Sequence, residues 1–219
     1  MRQGRSGGKA ERAPAAGHLS VDARSSLRSA LLSPEEAEAI DAHGQTEAAV
    51  LVPMFGYPER PGLVFTERRH DLRRHAGEIS FPGGRRDHPD EELSATALRE
   101  AEEEIGLVPA EVEIVGALPP IGTFVTSFKV HPFVGLIGDD LRFAPNPAEV
   151  ETVLALTLQA LRDSFQMRRL VRRGIPFRTP TYVVEEHLIW GATARILGEL
   201  IGRLPGSVND DERPAKPTD

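Results

Sequence analysis

The residues best suited to chemistry lie in Leu98-Arg99-Glu100-Ala101-Glu102-Glu103-Glu104-Ile105-Gly106. On a helix turning about 100° per residue, Glu100, Glu103 and Glu104 share one arc and Glu102 points elsewhere. Ala97, Leu98, Ala101 and Ile105 form an adjacent apolar stripe that should face a core. A run of acids is ordinarily a solvated helix face. This one is costly, because like charges at these spacings repel by about 0.2–0.5 kcal/mol per pair. The acids also crowd the last turns before Gly106, where the helix dipole disfavours anions. A divalent cation reverses both penalties, and a ligand set made only of oxygens selects Mg2+ or Mn2+.

Two further segments belong with the acids. Phe81-Pro82-Gly83-Gly84 ends a strand-like run, with glycines where backbone must approach a ligand closely. Upstream, Glu67-Arg68-Arg69-His70-Asp71-Leu72-Arg73-Arg74-His75 is a basic cluster. It reads as a solvated turn, a nucleic-acid patch or a clamp for a phosphorylated small molecule. It lacks the interleaved aromatics of single-strand binding. Arginine forks match phosphate oxygens, and the nearby glycines and acids favour the clamp.

The elements that position these groups follow from periodicity. Val21–Leu32, capped by Ser20, and Ser33 to about Ala42 read as helices. Glu47–Phe55, Leu63–Thr66 and Gly77–Phe81 read as strands, then a helix runs from about Asp90 to Ile105 and stops at Gly106. Val112–Leu118, Gly122–Phe128 and Val130–Ile137 read as strands, and Leu156–Phe165 and Met167–Arg173 as short helices. Thr181–Val184 reads as a last strand and His187–Arg203 as an amphipathic helix holding Trp190, expected in the core. That helix offers core packing or a homodimer surface. The order implies one α+β domain.

Gly84 to Leu107 resembles the Nudix box of the Nudix hydrolases, in which Gly, five residues, Glu and seven residues precede Arg-Glu-aliphatic-x-Glu-Glu-x-Gly-aliphatic. Arg99 to Leu107 matches the second half, with Ala101 a small version of the aliphatic. The first half carries one extra residue, which leaves Asp90 and Glu91 competing for the first acid. A narrower resemblance is to coenzyme A pyrophosphatases, whose motif reads Leu-Leu-Thr-x-Arg-Ser/Ala, three residues, Arg, three residues, Gly, three residues, Phe-Pro-Gly-Gly. Val64-Phe65-Thr66-Glu67-Arg68, Arg73, Gly77 and Phe81-Pro82-Gly83-Gly84 follow it. Arg69 in the Ser/Ala slot departs from it and adds charge beside the phosphate site. Leu118-Pro-Pro, Val130-His-Pro-Phe-Val-Gly135, Pro145-Asn-Pro-Ala-Glu149-Val150 and Ile189-Trp-Gly-Ala-Thr193 are also similar to that family.

The resemblance implies an α/β/α sandwich with a mixed central sheet and a loop–helix–loop catalytic box. It covers about Ala48 to Leu200 and implies 45–204 as the Nudix hydrolase domain, while composition and periodicity give residues 1–18 as a disordered arm, 19–44 as a helical extension and 205–219 as a polar tail. It implies metal-dependent cleavage of the diphosphate of coenzyme A or a derivative, giving 3′,5′-ADP and 4′-phosphopantetheine. Mg2+ or Mn2+ would be held by Glu100 and Glu104, with Glu103 a further ligand or the base. Arg68 and Arg73 would hold phosphate, Gly83 and Gly84 would line the substrate, and Arg99 would orient the carboxylates. The alternatives are another diphosphate (a nucleotide sugar, NADH, a dinucleoside polyphosphate) or a non-catalytic nucleotide-binding regulator.

Composition narrows the field. The 219 residues are 40% hydrophobic and 27% charged, as in ordinary globular chains. The net charge of −7 argues against a nucleic-acid partner. The absence of cysteine excludes thiolate metal sites and cysteine nucleophiles. No apolar run approaches the ~20 residues that span a bilayer, so no membrane partner is expected. Met1 to Gly17 has no apolar stretch of the secretory kind, and the expected location is cytoplasmic. The seven histidines show no ligand-spaced pair.

Overall fold

The computed structural model describes residues 21–72, 76–89, 91–123, 127–140, 142–172 and 174–204. The N-terminal arm, Ser20, Arg73, His75, Asp90 and the polar tail lie outside them. The chain order is α1 (Val21–Ala30), α2 (Pro34–Glu38), β1 (Thr46–Phe55), β2 (Gly62–Arg68), β3 (Ile79–Ser80) and β4 (Gly83–Arg85). Then come α3 (Leu93–Ile105), β5 (Glu113–Ala117), β6 (Ile121–Gly122), β7 (Phe128–Leu136) and β8 (Val150–Thr157). Last are α4 (Leu158–Asp163), β9 (Phe165–Arg172), β10 (Ile175–Val184), β11 (His187–Ile189) and α5 (Gly191–Arg203).

Among the described residues, β1 to β8 form one mixed sheet and β9 to β11 a second, antiparallel one. At the centre of the first, β1 and β7 run parallel from Thr46↔Phe128 to Met54↔Leu136. The alternation of β1 sorts the two cores. Ala49 and Leu51 pack with Ala97, Ala101 and Ile105 of α3 and with Ala37 of α2. Ala48, Val52 and Met54 pack with Leu27 of α1, Leu161 of α4 and Leu197 of α5. Helices therefore cover both faces, the α+β arrangement expected. In α3 the buried residues are Leu93, Thr96, Ala97, Ala101 and Ile105, and small alanines let the helix lie close to the sheet.

Several elements differ from the sequence reading. Ser33 and Glu36 do form a reciprocal capping box, but α2 ends at Glu38. The expected helix across Leu156–Phe165 is β8 followed, after the Thr157 cap, by the six-residue α4. The expected helix at Met167–Arg173 is β9, paired with β10 from Phe165↔Tyr182 to Arg172↔Ile175. Its apolar Met167, Leu170 and Val171 mimic helical spacing, and nonlocal pairing overrides that pattern. β6 is confined to Ile121–Gly122, and β3 to Ile79–Ser80. The last helix begins at Gly191, because Trp190 is extended and Gly191 has φ 68°. Leu188 and Ile189 belong to β11 instead. Trp190 is half-buried, 6.4 Å from Phe177. Ile196, Leu197 and Leu200 of α5 face the core rather than a free surface.

Gly106 stops α3 in the left-handed region at φ 69°, and a Cβ there would lie 2.9 Å from that of Ala144. The next segment docks on this helix end, Ala144 N–H donating to the Ile105 carbonyl and Asn146 N–H to that of Glu104, both at 2.8 Å. Gly106→Ala should cost about 1–2 kcal/mol from the backbone alone. Thermal unfolding should register this as a drop of roughly 3–8 °C.

Candidate active site

Arg99 is the hub of the acidic helix. Its Nε donates to Glu91 Oε1 at 3.0 Å, its Nη1 to Glu100 Oε1 at 2.9 Å, and its Nη2 to the Arg85 carbonyl at 3.2 Å. Longer contacts reach Glu103 at 3.4 Å and Asp87 at 3.6 Å. Burial works against the guanidinium charge, but Glu91 and Glu100 more than offset it and raise its pKa. Glu91 also accepts from the Asp87 N–H at 3.3 Å, and so ties the box loop to the helix. Of the two acids competing for the first position of the box, Glu91 is bonded to Arg99, and Asp90 lies outside the described residues.

Glu100 and Glu104 face the glycine strand. β4 pairs with β1 with Gly84 opposite Ala49, so that Gly84 lies on the α3 face of the sheet. A Cβ at Gly84 would lie 2.4 Å from the Glu100 carboxyl carbon, so any other residue there would displace that carboxylate from its present place. Gly83, at φ 158°, turns its N–H toward Glu104 Oε2 at 3.4 Å, a long bond. Burial pushes the Glu104 carboxyl up to about 8, and the neighbouring Glu100 charge adds to the rise. The Gly83 N–H and Arg68 oppose it without cancelling it. Burial also raises Glu100, against the pull of Arg99. Glu103 differs from both, with its side chain 59% exposed and, among the described residues, only the long Arg99 contact.

The opposite wall comes from β2 and the segment before β8. The β2–β8 register shifts between Glu67 and Arg68, a bulge that re-aims the Arg68 side chain. Arg68 Nη1 lies 3.3 Å from Glu149 Oε2. Both act on Glu104, the Glu149 charge raising its pKa and Arg68 lowering it. Glu149 is the acid to which the sequence reading gave no role. A readable signal precedes it, because Asn146 in Pro145-Asn146-Pro147 accepts from the Ala148 N–H at 3.0 Å in a local turn. Arg69, the departure from the narrower motif, forms a fork-to-fork pair with Asp71 at 2.9 and 2.6 Å and donates to the Pro147 carbonyl. The described residues thus bring together Glu100, Glu104, Gly83, Gly84 and Arg68, and leave Glu103 at the rim. Arg73 lies outside them.

A family model described as a NUDIX domain matches residues 45–174. The chain belongs to the Nudix family. A Klebsiella pneumoniae protein named as an uncharacterized Nudix hydrolase, NudL, is 42% identical over 180 residues, covering 80% of this chain and 92% of that protein. The Cronobacter sakazakii protein of the same name is 43% identical over 166 residues, covering 74% and 85%. A solved MutT/nudix family protein from Enterococcus faecalis shares the fold at 12% identity and TM-score 0.50, covering 77% of this chain and 65% of that one. The protein is a Nudix hydrolase, and such enzymes generally use divalent metal ions.

The residues present fit such an ion. Two half-buried carboxylates stand side by side, and among the described residues Glu104 is compensated by one long hydrogen bond and the field of Arg68. Hard oxygen donors of this kind suit Mg2+ or Mn2+.

A stability prediction follows from Glu104. Its pKa in the folded protein, about 8, exceeds the ordinary 4.5, so between those values the fold keeps a proton that the unfolded chain has released. Without metal, stability should fall as pH rises through that window. Glu104→Gln should flatten the trend and raise the melting temperature at alkaline pH. Saturating Mn2+ should stabilise the unsubstituted protein, and the variant much less. Melting curves across pH, with and without Mn2+, check all three.

Proposed function

We propose that the protein hydrolyses the diphosphate bond of coenzyme A or its derivatives, giving 3′,5′-ADP and 4′-phosphopantetheine. The observation that carries this is the seating of Arg68. The bulge in β2 aims it at Glu104 and Glu149, one strand from Gly83 and Gly84, within the spacing of Arg68, Gly77 and Phe81-Pro82-Gly83-Gly84 that resembles the coenzyme A pyrophosphatases.

Glu100 and Glu104 hold Mg2+ or Mn2+ in this reading. Bound there, the ion supplies Lewis acidity at a phosphoryl oxygen and makes a water easier to deprotonate. Arg68 and Arg73 grip the phosphates, and Arg68 exchanges Glu149 for a phosphate oxygen when substrate arrives. The glycine backbone lets the diphosphate approach. A water oxygen bonds to phosphorus, the anhydride P–O bond breaks, and a carboxylate takes the water proton. Glu103 is the first choice for that base, being exposed and free of short bonds. Glu149 is the second, since it stands on the far wall beside Arg68.

The base assignment is testable by comparing Glu103→Gln with Glu149→Gln at saturating Mg2+. Loss of the true base should lower kcat by about 10²–10⁴-fold and remove the acid limb of the pH–rate profile. The other substitution should act mainly on KM. For the substrate, coenzyme A or a thioester should show a higher kcat/KM than ADP-ribose or NADH, with products read by mass. Arg73→Ala should lower it by roughly one to three orders of magnitude. Ready hydrolysis of NADH or a nucleotide sugar with coenzyme A left intact would sink the substrate and leave the family chemistry standing.

A further inference from the structure

The β9–β10 hairpin is charged unlike the rest of the chain. From residue 164 to 184 there is no acid, yet there are five arginines, Arg168, Arg169, Arg172, Arg173 and Arg178, in a protein of net charge −7. Pairing Phe165↔Tyr182, Met167↔Pro180, Arg169↔Arg178 and Val171↔Pro176 puts these residues on one face of the ribbon. Phe165, Met167 and Val171 are 41%, 42% and 68% exposed there. Arg169 and Arg178 stand directly opposite each other, an arrangement that repels. Neither makes an ion pair with a described residue.

Arginine on an edge strand protects it against pairing with another sheet. Protection does not account for the apolar residues on the same face, which would be better polar. Antiparallel pairing with a second copy about the strand centre would set arginine against arginine. Single-stranded nucleic acid calls for interleaved exposed aromatics, and on this face Phe165 is exposed while Tyr182 is buried. Cations flanked by exposed aliphatic side chains match a surface that is anionic outside and apolar just beneath.

We propose that this face of the hairpin docks on an anionic lipid surface, with Arg169 and Arg178 on the headgroups and Met167 and Val171 entering the interface. This is peripheral attachment by a strand pair. It is compatible with the finding that no described helix is long and apolar enough to cross a membrane.

The test is co-sedimentation of the full chain with vesicles of phosphatidylcholine alone or mixed with phosphatidylserine. Binding should appear with the mixed vesicles only and weaken as salt rises. The double substitution Arg169→Gln with Arg178→Gln should weaken it by roughly 25-fold, about fivefold per arginine. Met167→Ser with Val171→Ser should weaken it as well. Arg142→Gln, a change at an exposed arginine paired with Asp140, should leave it intact. Melting curves confirm that each variant is folded. Absence of binding to the mixed vesicles, or binding indifferent to Arg169 and Arg178, overturns the proposal. So does binding that needs the arginines, ignores Met167 and Val171, and is equally strong toward polyglutamate, because that marks an acidic-polypeptide surface.

Discussion

Two carboxylates sit half-buried in the last turns of one helix, where the helix dipole opposes them and they oppose each other. Much of the surrounding structure manages that conflict. Arg99 takes Glu100 on one side and, through Glu91 and the Arg85 carbonyl, closes the preceding loop over the helix. Glu104 has no bond to Arg99 and, among the described residues, is left with the glycine N–H and the field of Arg68. The helix can hold so strained a set of charges because its other face is anchored by Ala97, Ala101 and Ile105 against the sheet centre. Burial of the apolar stripe supplies the stability that the acidic arc takes away.

The sheet sets the geometry of the site. The parallel β1–β7 pair fixes the face on which α3 lies, and the antiparallel β1–β4 pair carries Gly84 to a place beneath Glu100. Glycine at that position has a packing reason independent of any substrate. In the proposed mechanism the same residue also lets backbone approach a diphosphate.

What was legible in the sequence is what local chemistry writes there. The acidic arc, the apolar stripe, the helix stop at Gly106 and the helix start at Ser33 each rest on residues a few positions apart in the chain. β1 was legible because its run of apolar residues has strand length. The hairpin was not, because Met167, Leu170 and Val171 also fit a helix, and only pairing with β10 decides between them. Glu149 was marked by no more than the Pro145-Asn146-Pro147 turn before it. It reaches the site because Ala144 and Asn146 dock on the end of α3, forty residues earlier in the chain. Arg69 illustrates the limit from the other side. Its position in the motif puts an extra charge beside the phosphate site, and Asp71 and the Pro147 carbonyl absorb it.

That use of Arg69 has a mechanical side. Its guanidinium holds Asp71 and Pro147, while its backbone N–H donates to the Glu149 carbonyl at 3.0 Å. The strand that presents Arg68 and the segment that presents Glu149 are therefore riveted at two points rather than merely adjacent. The wall that these two segments form opposite α3 is thus one piece, and Arg68 and Glu149 keep their places relative to each other. Substitution at position 69 would loosen a joint without removing any group that touches the diphosphate, and its mark would be poorer alignment across a whole series of substrates rather than a new preference among them.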